Sequence, residues 1–502
     1  MRKFALAALF AYLALAGAAL WMGALNQDEG WYLYAARLVR EGEMPYRDFF
    51  FTQAPLLPIV YSAFTGLFKG ILGGRLLTAA FGLLGILTSV RLVQELVPRE
   101  KRGVSGLIVA FLLGSNLYHV YYTVLPKTYA LAGLFVLIGY LFLVLGLKKD
   151  FSFGKNILMF LSGVSLLFAA GTRISLGSLL VVVSVGLLFS FRGQKWAFFW
   201  FGLGGLVSSA LVFGPFLLDP GAREGFFAAQ AYHAARGGFD PVFTIGSLSR
   251  LVRWYAPVFI FGGITLFWQK SVAAPAEESG MQAASLGQIL CFAGFAAVFL
   301  VQIAAPFPYE DYQVPIMPLL AVGIVSVLMN RTTDAAQSRL WVWLALGLAW
   351  AGSFGSPLLQ EWTTNGQDRF WTRKKAKPEL AQLKEAAKEV EKLDPGGADI
   401  LTQDLYLAVE AGRKVPRGLE MGPFSQLSDD EWRALLASAP CKVAALSGYS
   451  FAIVPPACTE RPWAQQAEFC RILRENYDLA MEMEDFGQNA TTLLLLKRKD
   501  AE

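Results

Sequence analysis

The chain has 502 residues, 55% of them hydrophobic and 14% aromatic, with a mean hydropathy of +0.44 and a net charge of +5. Such a composition excludes an ordinary soluble enzyme of this length and reads as a membrane protein. No P-loop, dinucleotide glycine motif or serine nucleophile elbow occurs, so nucleotide chemistry is disfavoured and nothing marks nucleic acid as a partner.

In chain order, Met1, Arg2 and Lys3 precede an apolar run from Phe4 to Ala24. At roughly 20 residues this run is longer than a signal-peptide core, and many spans follow it, so it reads as a first transmembrane helix. Mostly apolar runs recur near 70–96, 104–122, 128–147, 156–171, 174–191, 196–218, 251–268, 286–304, 312–329 and 340–357. They predict a polytopic α-helical protein with about eleven spans. Arg2 and Lys3 share a side with Arg99, Lys101 and Arg102, with Lys148, Lys149 and Lys155, with Arg192, Lys195 and Lys270, and with Arg331 and Arg339. The positive-inside rule makes that side cytoplasmic. An odd span count then puts the segment 25–69, the loop 219–250 and everything past residue 358 outside. The predicted domains are a membrane part, 1–358, and an extracytoplasmic part, 359–502.

The two parts differ in charge. Residues 1–358 carry 25 of the 44 Lys and Arg but 16 of the 39 Asp and Glu, so the tail is acidic. A basic membrane half suits an anionic lipid ligand, although cytoplasmic loops alone also supply such an excess. Composition turns polar at Gln360 to Lys377. Beyond it the pattern predicts helices over Pro378–Leu393, Asp404–Ala411 and Ala464–Glu475, a Ser428/Glu431 capping box, and strands near 398–402, 442–446, 451–454, 479–484 and 491–496. This is a small α/β domain. Its Cys441, Cys458 and Cys470 permit one disulfide with a thiol left over, of unreadable pairing.

The segment Asn26 to Tyr61 holds the residues best suited to chemistry. Asn26 and Glu29 have the spacing of a helix cap and its N3 partner, which accounts for Glu29 structurally. Asp28 has two readings, an acid favoured by the helix dipole or a general base at the membrane surface. Arg37, Arg40 and Glu41 lie opposite Trp31 and Leu38, describing an interfacial amphipathic helix stopped by Gly42. An aromatic loop, Tyr46 to Phe51, follows between Pro45 and Pro55.

Asp28 and Glu29 after the first span, the Tyr32–Arg37 helix, Gly42, Pro45 and Tyr46 with Asp48, and the turn Gln53, Ala54, Pro55, Leu56 resemble the first external loop of the C-type membrane glycosyltransferases. The protein O-mannosyltransferases and lipid A aminoarabinose transferases are similar in that loop and in overall architecture. The resemblance implies an inverting transfer of a sugar from a polyprenyl phosphate to a glycan, lipid or protein acceptor, with Asp28 as base and Glu29 in support. A lipid phosphate then needs a cation, and Arg173 and Lys127 stand on the outward side between spans, each also able to snorkel to headgroups. Where the aminoarabinose transferases have Lys-Pro-Pro, this chain has Gln53, Ala54 and Pro55.

Gln53, His233 in a Gly237–Gly238 loop that could form a lid, and Tyr309, Glu310 and Tyr312 in an aromatic turn are further donor or acceptor pocket candidates. No cofactor is expected. A divalent metal is chemically permitted, but His119, His233, Asp28 and Asp311 have no ligand spacing. The reading from a different class is a transporter or flippase of lipid-linked sugars, which would predict inverted repeats and charges at the bilayer midplane.

Overall fold

The computed structural model describes residues 2–499 apart from 150–151, 190–194, 236, 268–278, 333–334, 364–376, 426, 439–440, 448–470, 472 and 489–490. The helices of the apolar part are α1 (Arg2–Met22), α2 (Gln27–Arg40), α3 (Leu56–Ser62), α4 (Gly70–Glu95), α5 (Arg102–Gly114), α6 (Leu117–Val124), α7 (Thr128–Leu147), α8 (Phe153–Thr172), α9 (Ser178–Phe189), α10 (Lys195–Leu218), α11 (Pro220–Ala234), α12 (Pro241–Trp254), α13 (Ala256–Phe267), α14 (Ser279–Ile303), α15 (Met317–Arg331) and α16 (Ala335–Thr363). Among the described residues six helices are long and apolar enough to cross a bilayer, and the bent pair α5–α6 makes a seventh. Shorter apolar helices cover 174–189, 256–267 and 317–331. The protein is a multi-pass membrane protein.

Three sequence expectations change in detail. The span at 104–122 breaks by 70° between α5 and α6, because Asn116 caps α6 by accepting from the His119 amide while its Nδ2 donates to the Trp254 carbonyl. The span at 251–268 is divided at Tyr255, between α12 and α13. The loop 219–250 is mostly helical: α11 and α12 fill it, and Gly237, at φ +115°, lies in the short connection.

The C-terminal part carries α17 (Glu379–Leu393), α18 (Leu405–Glu410) and α19 (Asp429–Ser438), with β1 (Ile400–Leu401), β2 (Val443–Ser447), β3 (Tyr477–Phe486) and β4 (Thr491–Arg498). These strands form one mixed sheet of order β1-β2-β4-β3, with β1 parallel to β2 and the other pairs antiparallel. Both halves of the Ser428–Glu431 capping box are present. The strand expected at 451–454 and all but the end of the helix expected at 464–475 lie outside the described residues, as do Cys458 and Cys470. Cys441 is buried.

The sheet and its helices do not close a core of their own. Leu380, Leu383, Leu405, Tyr406 and the β4 leucines share one buried cluster with Trp31, Tyr34 and Leu38 of α2 and with Leu57 and Tyr61. Helix α2 is therefore covered on both sides, and ten of its fourteen residues are buried. This corrects the reading of α2 as a helix lying at the membrane interface: its charged edge meets protein. Arg37 Nη1 donates to the Arg413 carbonyl, and Lys414 pairs with Glu41 at 2.6 Å. Its C-terminus closes as a Schellman turn, with Glu43 N on Leu38 O, Gly42 N on Val39 O, and Gly42 at φ +94°.

At Gly30 the backbones of the two parts pack directly against each other. A Cβ there would lie 2.3 Å from the Tyr406 backbone nitrogen and 2.9 Å from the Leu405 carbonyl carbon. Neither atom can swing away as a side-chain tip could. Gly30→Ala is expected to loosen the C-terminal part by about 1–3 kcal/mol, the usual cost of overpacking. Faster proteolysis of the tail than in wild type, with the membrane part intact, is the expected result.

Candidate active site

Asp28 sits in the first turn of α2. Its amide donates to the Asn26 side chain, which caps the helix. Three contacts fix the approach to that turn from the C-terminal side: Gln27 N donates to Gln488 Oε1 at 2.7 Å, Gln27 Nε2 to Asp404 Oδ1 at 2.8 Å, and the Leu25 amide to Glu379. The Tyr406 hydroxyl also donates to Asp404.

The neighbouring carboxylates of α2 have opposite fates. Glu29 turns inward and is fully buried against Arg75, which holds both of its oxygens at 2.7 and 2.8 Å. The same guanidinium donates to the carbonyls of Ala19, Leu20, Gly23 and Ala24 at and just past the C-terminal end of α1. Glu29 Oε1 also accepts from Asn26 N, completing the capping box. Its lone pairs are committed to structure. Asp28 instead keeps 30% of its side chain exposed, with Oδ1 accepting from Trp31 Nε1 at 3.1 Å and Oδ2 meeting Lys127 Nζ at 2.9 Å.

Lys127 stands in the tight turn between α6 and α7. It is buried, and beyond Asp28 it reaches Asp311 Oδ2 at 3.3 Å, while Tyr129 OH donates to the same oxygen at 3.0 Å. The rings of Tyr122 and Tyr129 lie 5.5 and 5.3 Å from its ammonium. Burial works against this charge, but Asp28, Tyr129, Asp311 and Tyr122 outweigh it and hold its pKa well above the usual lysine value.

Arg173, at the C-terminal cap of α8, is on the other side of Tyr129. Its guanidinium lies 5.3 Å from that ring and 4.2 Å from the ring of Tyr312, and donates weakly to Thr128 Oγ1 at 3.4 Å. Its Nε has no hydrogen-bond partner, and it forms no ion pair among the described residues. The contrast with Lys127 is a matter of supply: one cation is shared by two carboxylates, the other faces aromatic rings.

The remaining candidates lie around this centre or apart from it. Tyr309, Glu310 and Tyr312 belong to the turn before α15, which Pro318 enters at a first-turn position where it needs no N–H. Glu310 is held by Arg250 at 3.1 Å and by Ser247, and Tyr309 packs edge-on to Phe243 and Tyr312. The Gln53 carbonyl accepts from Tyr46, whose backbone has φ +69° and whose ring packs on Phe51, Phe216 and Phe226. The aromatic loop thus packs against α10 and α11. His233 is on α11, with its side chain outside the described residues. Tyr129, Trp31 and Asp311 complete the centre and were not singled out as site residues from sequence. The visible signal was thin: Tyr129 is two residues past Lys127, and Asp311 is one of two acids in a turn. Among the described residues no three His, Cys, Asp or Glu side chains group as a metal site.

The crystal structure of ArnT from Cupriavidus metallidurans in the apo state superposes with a TM-score of 0.61 at 15% identity, covering 98% of this chain and 97% of that one. The same protein bound to undecaprenyl phosphate gives 0.59 over the same coverage and at the same identity. This chain has the fold of ArnT. The archaeal oligosaccharyltransferase AglB from Archaeoglobus fulgidus, in complex with an inhibitory peptide and a dolichol-phosphate, is also similar, at 11% identity and a TM-score of 0.49 over 90% of this chain and 72% of that chain. No family model and no curated protein sequence matches the chain.

Proposed function

We propose that this protein is an inverting glycosyltransferase that moves a sugar from a polyprenyl phosphate to an acceptor at the outer face of the plasma membrane. The observation that carries the reading is a partly exposed carboxylate, Asp28, paired with Lys127, whose ammonium lies beside the same Tyr129 ring as Arg173, a guanidinium without an ion pair among the described residues. The likeness of the whole chain to ArnT, seen with undecaprenyl phosphate bound, supports a lipid-phosphate carrier. The basic loops support the outward orientation of the site, with the C-terminal part on the same side.

The chemistry needs one base and one stabilised leaving group. Asp28 takes the proton of the acceptor as its oxygen or nitrogen attacks the anomeric carbon. The bond from that carbon to the phosphate oxygen breaks on the opposite face, its electron pair leaves with the lipid phosphate, and Arg173 meets the added negative charge. Tyr312 and Tyr129 orient the guanidinium from its faces. Glu29 supports the turn through Arg75 and takes no proton. Tyr309, Glu310, Gln53 and His233 remain candidates for the sugar or acceptor pocket. The site charges sit at helix ends and turns, which favours transfer over the transporter reading.

Purified protein given radiolabelled polyprenyl phosphate hexoses and pentoses, with lipid, glycan and peptide acceptors, tests the reading. Transfer in at least one pairing is expected, and release of free polyprenyl phosphate should match it mole for mole. No transfer from any donor, with lipid-linked sugar instead moved across vesicles, would overturn it. Arg173→Ala is expected to lower turnover by roughly 10²–10³-fold, as for loss of one charge-stabilising donor. Arg173→Lys should recover part of that, because a point charge replaces a planar fork.

A further inference from the structure

The arrangement around Lys127 is that of a bridging cation. One ammonium lies 2.9 Å from Asp28 Oδ2 and 3.3 Å from Asp311 Oδ2, two carboxylates separated by 283 positions in the chain. It is buried, with two tyrosine rings around it, and a short turn in which Lys127 N donates to the Leu125 carbonyl sets where its stem begins. The three groups carry a net charge of −1, which leaves the centre close to neutral once Arg173 is counted. Two hard oxygen ligands on either side of a central positive charge also describe how a divalent cation is held.

We propose that Lys127 is the site's own counter-cation: it fills the space between Asp28 and Asp311 that a divalent metal would require, so the centre works without one. The ammonium keeps Asp28 aimed by one oxygen and leaves the other side of the carboxylate available to an acceptor. Because Asp311 shares the same ammonium, Lys127 draws less fully on Asp28 than an isolated pair would. The proposal rests on the transferase reading for its consequence in turnover, but its structural claim does not need that reading.

The test is binding of Mn²⁺ to the full-length protein in detergent, followed by electron paramagnetic resonance. Wild type is expected to show no site at the Asp28–Asp311 pair, so its Mn²⁺ isotherm should be unchanged by Asp311→Asn. Lys127→Met, which keeps the stem volume and removes the charge, is expected to gain one site with a dissociation constant on the order of 10⁻⁴–10⁻³ M, and the added Asp311→Asn change should abolish it. Lys127→Gln serves as a second neutral variant, so that misfolding of one leaves the test standing. Transfer by wild type should be equal in EDTA and in Mg²⁺. A wild-type Mn²⁺ site lost in Asp311→Asn, inhibition of wild type by EDTA, or folded neutral variants without a new site would each overturn the proposal. Failure of the transferase reading would appear instead as absent turnover with the Mn²⁺ result unchanged.

Discussion

Asp28→Asn is expected to reduce sugar transfer by about 10²–10⁴-fold, the range for loss of a positioned general base, while donor binding persists. The substitution keeps the shape of the side chain and its place in the Asn26-capped turn, and an amide oxygen can still accept from Trp31 Nε1. What it removes is the capacity to take a proton. Lys127 loses one of its two carboxylate partners but keeps Asp311 at 3.3 Å, so the cation remains neutralised in part. The measurements that check this are single-turnover transfer and binding of a labelled polyprenyl phosphate to the same preparation. Loss of transfer with retained binding is the expected pair. Equal turnover by variant and wild type would remove Asp28 from the chemistry and leave its acid as a helix-terminus group.

The second large effect is on stability. Arg75→Ala is expected to cost about 3–5 kcal/mol, the range for breaking a buried ion pair by deleting one partner. The reason lies in the count of acceptors left behind. Glu29 would be a fully buried carboxylate without its cation, and the carbonyls of Leu20 and Gly23 would lose the Arg75 donor while Ala19 and Ala24 keep the Gly23 amide and the Tyr121 hydroxyl. Glu29→Gln removes the charge and keeps an acceptor, so it should cost less than Arg75→Ala. The unfolding temperature in one fixed detergent checks both, and the double variant Glu29→Gln/Arg75→Ala should cost less than the sum of the singles because the unpaired charge is gone. A drop of similar size for Asp28→Asn would contradict the division of labour between the two acids, since Asp28 is partly exposed, the amide that replaces it can still accept from Trp31 Nε1, and Lys127 keeps Asp311.

That division was half visible beforehand. The Asn26–Glu29 spacing marked a cap and an N3 partner from residues three apart, and the structure contains the cap. Local sequence could not show Arg75, 46 positions away, or that it also gathers the loose carbonyls of α1. The same limit applied to Lys127. As a lone cation on the outward side it suggested a phosphate ligand, whereas its two carboxylate partners arrive from the α2 turn and from the turn before α15. Arg173 was read on the same grounds, yet the fold surrounds it with rings, and among the described residues no carboxylate forms an ion pair with it.

The sequence by itself determined the membrane character, the approximate place of most helices and the capped turn bearing Asp28. Those features rest on short-range physics: a bilayer demands long apolar helices with their backbone groups paired internally, and caps and glycine stops are read within a few residues. Tertiary structure alone decided which apolar runs would break, as at Asn116 and Tyr255, and which face of α2 would be covered by the C-terminal part. It also decided which cation would pair with carboxylates and which would face aromatic rings. These outcomes depend on contacts between segments tens to hundreds of residues apart. Charge, size and hydrophobicity listed along a chain carry no record of which distant group will complete a pair.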